Sequence, residues 1–155
     1  MRHGAILLLI VLVTAAGAQE EYNPFDHYDN SMNVLLGWGI ASVASGAVMV
    51  FDDDRRTQQI GTQNMIWGGL DAGYALFAKA ANEWASLRIP PEDKALRYLR
   101  GLLISGVLDL VYLGTGIALI TLGEDNDYRG HGIGITIQSG FLLGFDAINF
   151  GLTFR

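Results

Sequence analysis

The stretch Gly101–Leu122, GLLISGVLDLVYLGTGIALITL, carries a single charged side chain, Asp109, in a run that is otherwise apolar, small, aromatic or hydroxylated. A run of that length crosses the ~30 Å hydrocarbon layer as an α-helix. Leu102-Leu103-Ile104 and Gly116-Ile117-Ala118-Leu119-Ile120 are continuous and not alternating, whereas a membrane β-barrel strand alternates apolar and polar residues over about ten positions. Working outward, segments of the same kind recur at about 34–51, 60–81 and 132–154, beside this one at about 99–122. The expected fold is an all-α membrane protein, a four-transmembrane-helix bundle over 34–155. Pro90-Pro91 stops any helix from running through the middle connection. Acidic clusters at Asp52-Asp53-Asp54 and Glu124-Asp125-Asn126-Asp127 mark the other two turns.

Composition agrees. Half of the 155 residues are apolar and only 17% are charged, against about a quarter in an average soluble domain; mean hydropathy is +0.28. The charge is gathered into short stretches: Glu20–Asp29, Asp52–Arg56, Lys79–Arg100 and Glu124–Arg129. The 20 glycines fall mostly inside the apolar segments, where small residues let helix backbones approach in a bilayer. A net charge of −6 without clustered Lys and Arg excludes a nucleic-acid surface. The absence of cysteine excludes disulfides and thiolate metal sites.

The amino end reads as a signal peptide over residues 1–18. Met1-Arg2-His3 is basic, Ala5–Val13 is apolar, and Ala16 and Ala18 stand at −3 and −1 of a cleavage site. Residues 19–33 then form a short extracytoplasmic segment. This places the turns 52–59 and 124–131 inside and the connection 79–99 outside, in a bacterial inner membrane. Lys and Arg counts favour the reverse, since Lys79, Arg88, Lys94 and Arg97 lie in the outer connection. The signal peptide acts first and fixes the amino end. Trp84, Leu87 and Arg88 allow that connection to lie as an interfacial helix, with a solvated loop as the alternative.

The two halves look alike. Ser45-Gly46 matches Thr115-Gly116 at an offset of 70, and Gln63, Gly69, Asp71 and Ala72 match Gln138, Gly144, Asp146 and Ala147 at an offset of 75. Two similar hairpins entering the membrane in one direction form a parallel repeat. Small residues four apart, Ala41/Ser45, Ser42/Gly46, Gly69/Gly73, Gly101/Ser105 and Gly140/Gly144, mark packing seams within the bundle or between copies.

Leu36-Gly37-Trp38-Gly39-Ile40-Ala41-Ser42 and Gln63-Asn64-Met65-Ile66-Trp67-Gly68-Gly69-Leu70-Asp71 resemble an uncharacterised family of short bacterial four-helix integral membrane proteins. In that family a Trp is followed four residues later by Asn in each of the first two helices. Here Ser42 and Asp71 take those positions. The resemblance covers mainly the first hairpin and implies a fold, with no activity attached.

Three carboxylates stand inside the spans: Asp71, Asp109 and Asp146. Gln63, Trp67, Asp71 and Tyr74 share one helix face; Ser105, Asp109 and Tyr112 another; Gln138, Asp146, Asn149 and Thr153 a third; Trp38, Ser42 and Ser45 supply the stripe on the first span. An ionised Asp facing lipid costs at least ~2.5–3.5 kcal/mol, so these faces point inward as an intramembrane polar cluster: Asp71, Asp109, Asp146, Gln63, Gln138, Asn149, Tyr74 and Tyr112. With no basic partner in any span, the sequence favours acids hydrogen-bonded as helix glue. The alternative is a cation or proton site.

Asp125–Gly130 departs from a calcium loop, with Arg129 at a ligand position and no closing Glu. His27 and His131 lack a second His one turn away for zinc, and nucleophile-elbow, P-loop and dinucleotide motifs are missing. No enzyme, metal or cofactor is therefore expected. The functional expectation is a non-enzymatic accessory or oligomeric bundle whose partners are the lipid bilayer and further copies or a larger membrane complex; the alternative is a small cation- or proton-dependent transporter or channel. Cleavage after Ala18 predicts Gln19 as the mature amino terminus. Mass analysis of membrane-extracted protein checks it, and an intact Met1 or Arg2 would refute it.

Overall fold

The structure, a computed structural model, describes residues 22–154; the expected signal peptide lies outside the described residues. Four helices follow in order: α1 (Pro24–Met49), α2 (Arg55–Ser86), α3 (Pro91–Leu122) and α4 (Asn126–Thr153). Among the described residues there is no strand.

Each helix starts where its local chemistry dictates. Asn23 caps α1 by accepting the Phe25 N–H at 3.0 Å, and Pro24 follows at a position where no N–H is needed. Asp54 caps α2, bonded to the Arg56 N–H and the Thr57 hydroxyl. Partial desolvation opposes ionisation of Asp54, yet these hydrogen bonds hold its carboxyl below the usual range. The cap thus contributes above the ordinary carboxylate range and is lost as pH falls through the lowered value. Pro91 opens α3 with Glu92 and Asp93 in the first turn, where negative charge suits the helix dipole. Asp125 caps α4 through the Tyr128 N–H at 3.0 Å.

The helices are longer than hydropathy alone implied. Asp26, His27 and Asp29 make the first turns of α1 polar, so its expected start fell at Val34 and not at Pro24. The outer connection expected over 79–99 is mostly helix: α2 continues to Ser86 and α3 begins at Pro91. It is thus neither a long loop nor a separate interfacial helix. Within it the Arg88 guanidinium lies 3.6 Å over the Trp84 ring. Of the four helices, α1, α3 and α4 are long and apolar enough to cross a membrane. The polar residues Gln58, Gln59, Gln63, Asn64 and Asp71 keep α2, which contains the expected 60–81 span, from meeting that measure.

Packing is inverted relative to a water-soluble bundle. The face that α2 buries is Gly61, Asn64, Gly68, Asp71, Ala75, Ala78, Asn82 and Ala85, all small or polar. Its outward residues include Ile66, Leu70, Leu76 and Phe77. On α3 the buried residues are Lys94, Tyr98, Leu102, Asp109 and Gly116, while Leu103, Ile104, Val107, Leu108 and Val111 face out. So much apolar surface is untenable on a monomer in water and natural in lipid, where small residues draw helices together.

α1 packs on α2, α3 on α4, and α2 on α4, with a lighter contact between α1 and α3. α1 and α2 approach through paired glycines. A Cβ on Gly39 would stand 2.6 Å from the Gly68 carbonyl oxygen and 2.7 Å from the Ala72 nitrogen, and Gly46 meets Gly61 in the same way. Gly116 and Gly132 make the corresponding approach between α3 and α4. By contrast, Gly69, Gly73, Gly140 and Gly144 have open space around them. Gly39→Ala or Gly68→Ala, which forces backbones apart, is expected to destabilise by about 1–3 kcal/mol. Gly69→Ala and Gly73→Ala should instead be neutral or stabilise by about 0.5–1 kcal/mol each. Thermal unfolding in detergent, followed by circular dichroism, reads the contrast; equal loss in both pairs would refute the assigned packing face.

Candidate functional site

The sequence-derived polar cluster separates into three parts. The first is centred on Gln138, which is 2% exposed. Its carbonyl oxygen accepts the Trp38 indole N–H at 2.8 Å, and its amide nitrogen donates to the Asn64 oxygen at 2.9 Å and the Ser42 hydroxyl at 3.2 Å. One side chain from α4 therefore ties α1 and α2. Phe141, almost one turn further along, stacks on Trp38 with centroids 3.9 Å apart and planes within 6°.

The second part holds the acids. Asp71, Asp109 and Asp146 are 8%, 4% and 6% exposed. Asp146 reaches across the α3–α4 contact, its Oδ2 standing 3.8 Å from where a Cβ on Gly106 would lie, one turn from Asp109; Asp71 comes from α2. Ser105 adjoins Asp146. The Oδ2 atom of each of the three carboxyl groups is buried and has no hydrogen-bond partner. A small cavity with room for about one water is lined by Trp67, Asp109, Tyr112, Gln138 and Ser139. At 1.5 Å per residue the acids lie roughly 20–30 Å along their helices from the end holding the two acidic turns, which is the middle region of helices of this length.

The third part is peripheral. Gln63 turns from Asp71 to His131, at 2.8 Å from the ring Nδ1, and accepts the Trp67 indole N–H at 3.0 Å. Asn149 pairs with the Ser31 hydroxyl at 2.5 Å and donates to the Phe145 carbonyl. Tyr74 and Tyr112 are 56% and 41% exposed. Tyr74 lies beside Tyr28, and Tyr112 packs edge-on against Trp67 at 4.9 Å.

Asn64, Ser31 and Tyr98 escaped the sequence reading. Asn64 stands seven residues before Asp71 and Gln63 eight; both spacings fit one helix face, and spacing alone does not choose between them. Tyr98 lay in a stretch expected as connection. Among the described residues, no group of three or more His, Asp or Glu side chains is placed to hold a metal ion.

Fold and site together define a class: an all-helical protein with three helices long and apolar enough to cross a membrane, apolar outside, with carboxylates buried inside. The chain belongs to a family of unknown function (DUF6992), which matches residues 34–147. No curated protein and no solved structure matches it.

Gln138 is the test of the first part. Gln138→Leu leaves Trp38, Ser42 and Asn64 without their partner inside the bundle, and each orphaned buried group costs about 1–3 kcal/mol. The expected outcome is a lowered melting temperature and a shifted tryptophan emission, whereas Gln63→Leu should lower stability less. Unchanged melting of Gln138→Leu would refute the central role of this side chain.

Proposed function

We propose that this is an integral membrane protein whose buried Asp71–Asp109–Asp146 trio binds and releases protons, serving a small proton-dependent transporter or channel. The observation that carries the reading is the set of three buried carboxyl groups, each with an unpartnered oxygen and none in an ion pair among the described residues. Carboxylates crowded in this way cannot all be charged in a low-dielectric core, and shared protons take the place of counter-ions. Acids serving as glue would each end on a donor such as Tyr74, Tyr112, Ser105 or a neighbouring Trp; Ser105 adjoins Asp146, yet each acid keeps an oxygen without a partner. Proton binding needs no metal cage and no nucleophile, so the role is non-enzymatic.

In this reading α2 completes a fourth span with its polar face inward, and the two hairpins form a repeat, supported by the matching Gly46–Gly61 and Gly116–Gly132 approaches. The mature amino end, after signal-peptide cleavage, lies outside a bacterial inner membrane. The partner is the lipid bilayer. A second reading, an accessory or self-associating bundle, is favoured by the outward, open Gly69/Gly73 and Gly140/Gly144 pairs.

Proton uptake into vesicles carrying an internal pH dye tests the proposal. Wild type should exceed empty liposomes under a pH gradient, and Asp109→Asn, which keeps size and hydrogen bonding, should abolish the excess without loss of fold. Wild-type uptake equal to that of empty liposomes would overturn it.

A further inference from the structure

The carboxylates are not equally placed with respect to the two ends of the bundle. Toward the acidic turns the interior is closed. Gln138 has spent both ends of its amide on Trp38, Ser42 and Asn64. Beyond it, Gly46 meets Gly61 and Gly116 meets Gly132 with no space for a Cβ. At the rim Arg55 of α2 makes a two-pronged contact with Asp127 of α4, at 2.6 and 3.2 Å.

The other end differs. Tyr98 of α3 is 7% exposed and its hydroxyl has no hydrogen-bond partner. It lies beside Ser31, whose partner Asn149 stands about one turn of α4 from Asp146. Ser31 bonds Asn149 and the His27 carbonyl. The His27 ring rests 5.9 Å from the Tyr98 ring, and its Nε2 is likewise buried without a partner. Lys94 sits 3.4 Å over the Tyr28 ring, and a separate groove between α1 and α2 at this end is lined by Asp29, Lys79 and Asn82. The apolar cluster of Met32, Leu35, Ala75, Ala78 and Phe145 comes from α1, α2 and α4; on α3, Leu102 is the buried apolar side chain between Tyr98 and Asp109. Among the described residues, the unpartnered buried polar atoms outside the acids, on Tyr98, His27 and Asn82, lie toward this end.

We infer that protons reach the Asp trio from the end where α1 begins, along Asp146, Tyr98, Ser31 and His27, and that the Gln138 layer shuts the opposite end. This rests on the proton-binding reading and deepens it by assigning the route and its side. Tyr98 passes its hydroxyl proton toward Asp146 and is reprotonated in the same step through Ser31 from the His27 side, where the proton is replaced from solvent; release runs in reverse, and nothing is oxidised or reduced. Tyr98 is a relay and positioning residue, while Asp109 and Asp146 hold the exchanging proton. In the proposed orientation the route opens to the outside.

Infrared spectroscopy of the protein in phosphatidylcholine vesicles supplies the test. The protonated-carboxyl stretch is assigned by its loss in Asp109→Asn or Asp146→Asn, and its exchange is timed after transfer to D2O. Tyr98→Phe keeps the ring and removes the hydroxyl; exchange should slow about tenfold or more while the band itself stays. Ser31→Ala should slow it in the same direction and serves should Tyr98→Phe fail to fold. Thr136→Val, on the closed side, should leave the rate unchanged. A band that exchanges at the wild-type rate in both Tyr98→Phe and Ser31→Ala, or that slows equally in Thr136→Val, overturns the route while leaving the proton site in place. A wild-type protein with no such band overturns the proton site and the route with it.

Discussion

The side-chain amide of Gln138 is the interaction on which the remaining structure leans. In a bilayer the apolar surfaces of helices have no water to escape, so association depends on close packing and on polar groups that find partners only in one arrangement. Gln138 meets that condition completely, accepting from α1 and donating to both α1 and α2. Its bonds fix the rotation of α4 about its axis. With that rotation set, Asp146, about two turns further along, is turned toward α3 and Asp109.

Close approach makes those bonds reachable. A side-chain amide spans only a few ångströms, and α1 could not lie near enough to α2 if Gly39 and Gly68 carried larger side chains. The same economy of volume leaves little hydrophobic mass inside: the central apolar cluster is Met32, Leu35, Ala75, Ala78 and Phe145. Stability is thus drawn from backbone proximity and hydrogen bonds, while many Leu, Ile and Val side chains are turned outward. Ion pairing adds little, since the Arg55–Asp127 pair is exposed and screened by solvent.

A bundle held in this way can carry buried acids that a tightly filled core would reject. Asp71, Asp109 and Asp146 gain nothing evident for folding: each keeps an oxygen without a partner, and a buried unpartnered carboxyl is destabilising. That asymmetry between the saturated Gln138 layer and the unsaturated acids beside it separates the parts of the interior that build the fold from the part that is available for chemistry.

Much of this was legible in the residues alone. Run length and the absence of alternation determined the helical class and the approximate position of each helix, because a bilayer admits few alternatives to a continuous apolar helix. The cost of exposing carboxylates to lipid determined that Asp71, Asp109 and Asp146 face inward. Helix ends were less legible: Asp26, Lys94 and Arg97 read as loop by hydropathy, yet caps and proline placement carry the helices through them. Partners were not legible at all. Tyr74 and Ala75 lie three and four residues from Asp71, and both fit its face; only the position of α1 and α4 buries Ala75 and leaves Tyr74 outside. Likewise Gln63 and Asn64 are neighbours in sequence, but rotation of α2 against α4 sends one to His131 and the other to Gln138. A sequence specifies which face of a helix is polar to within about one residue, whereas hydrogen-bond partners depend on helix rotation and depth, which only the packed bundle sets.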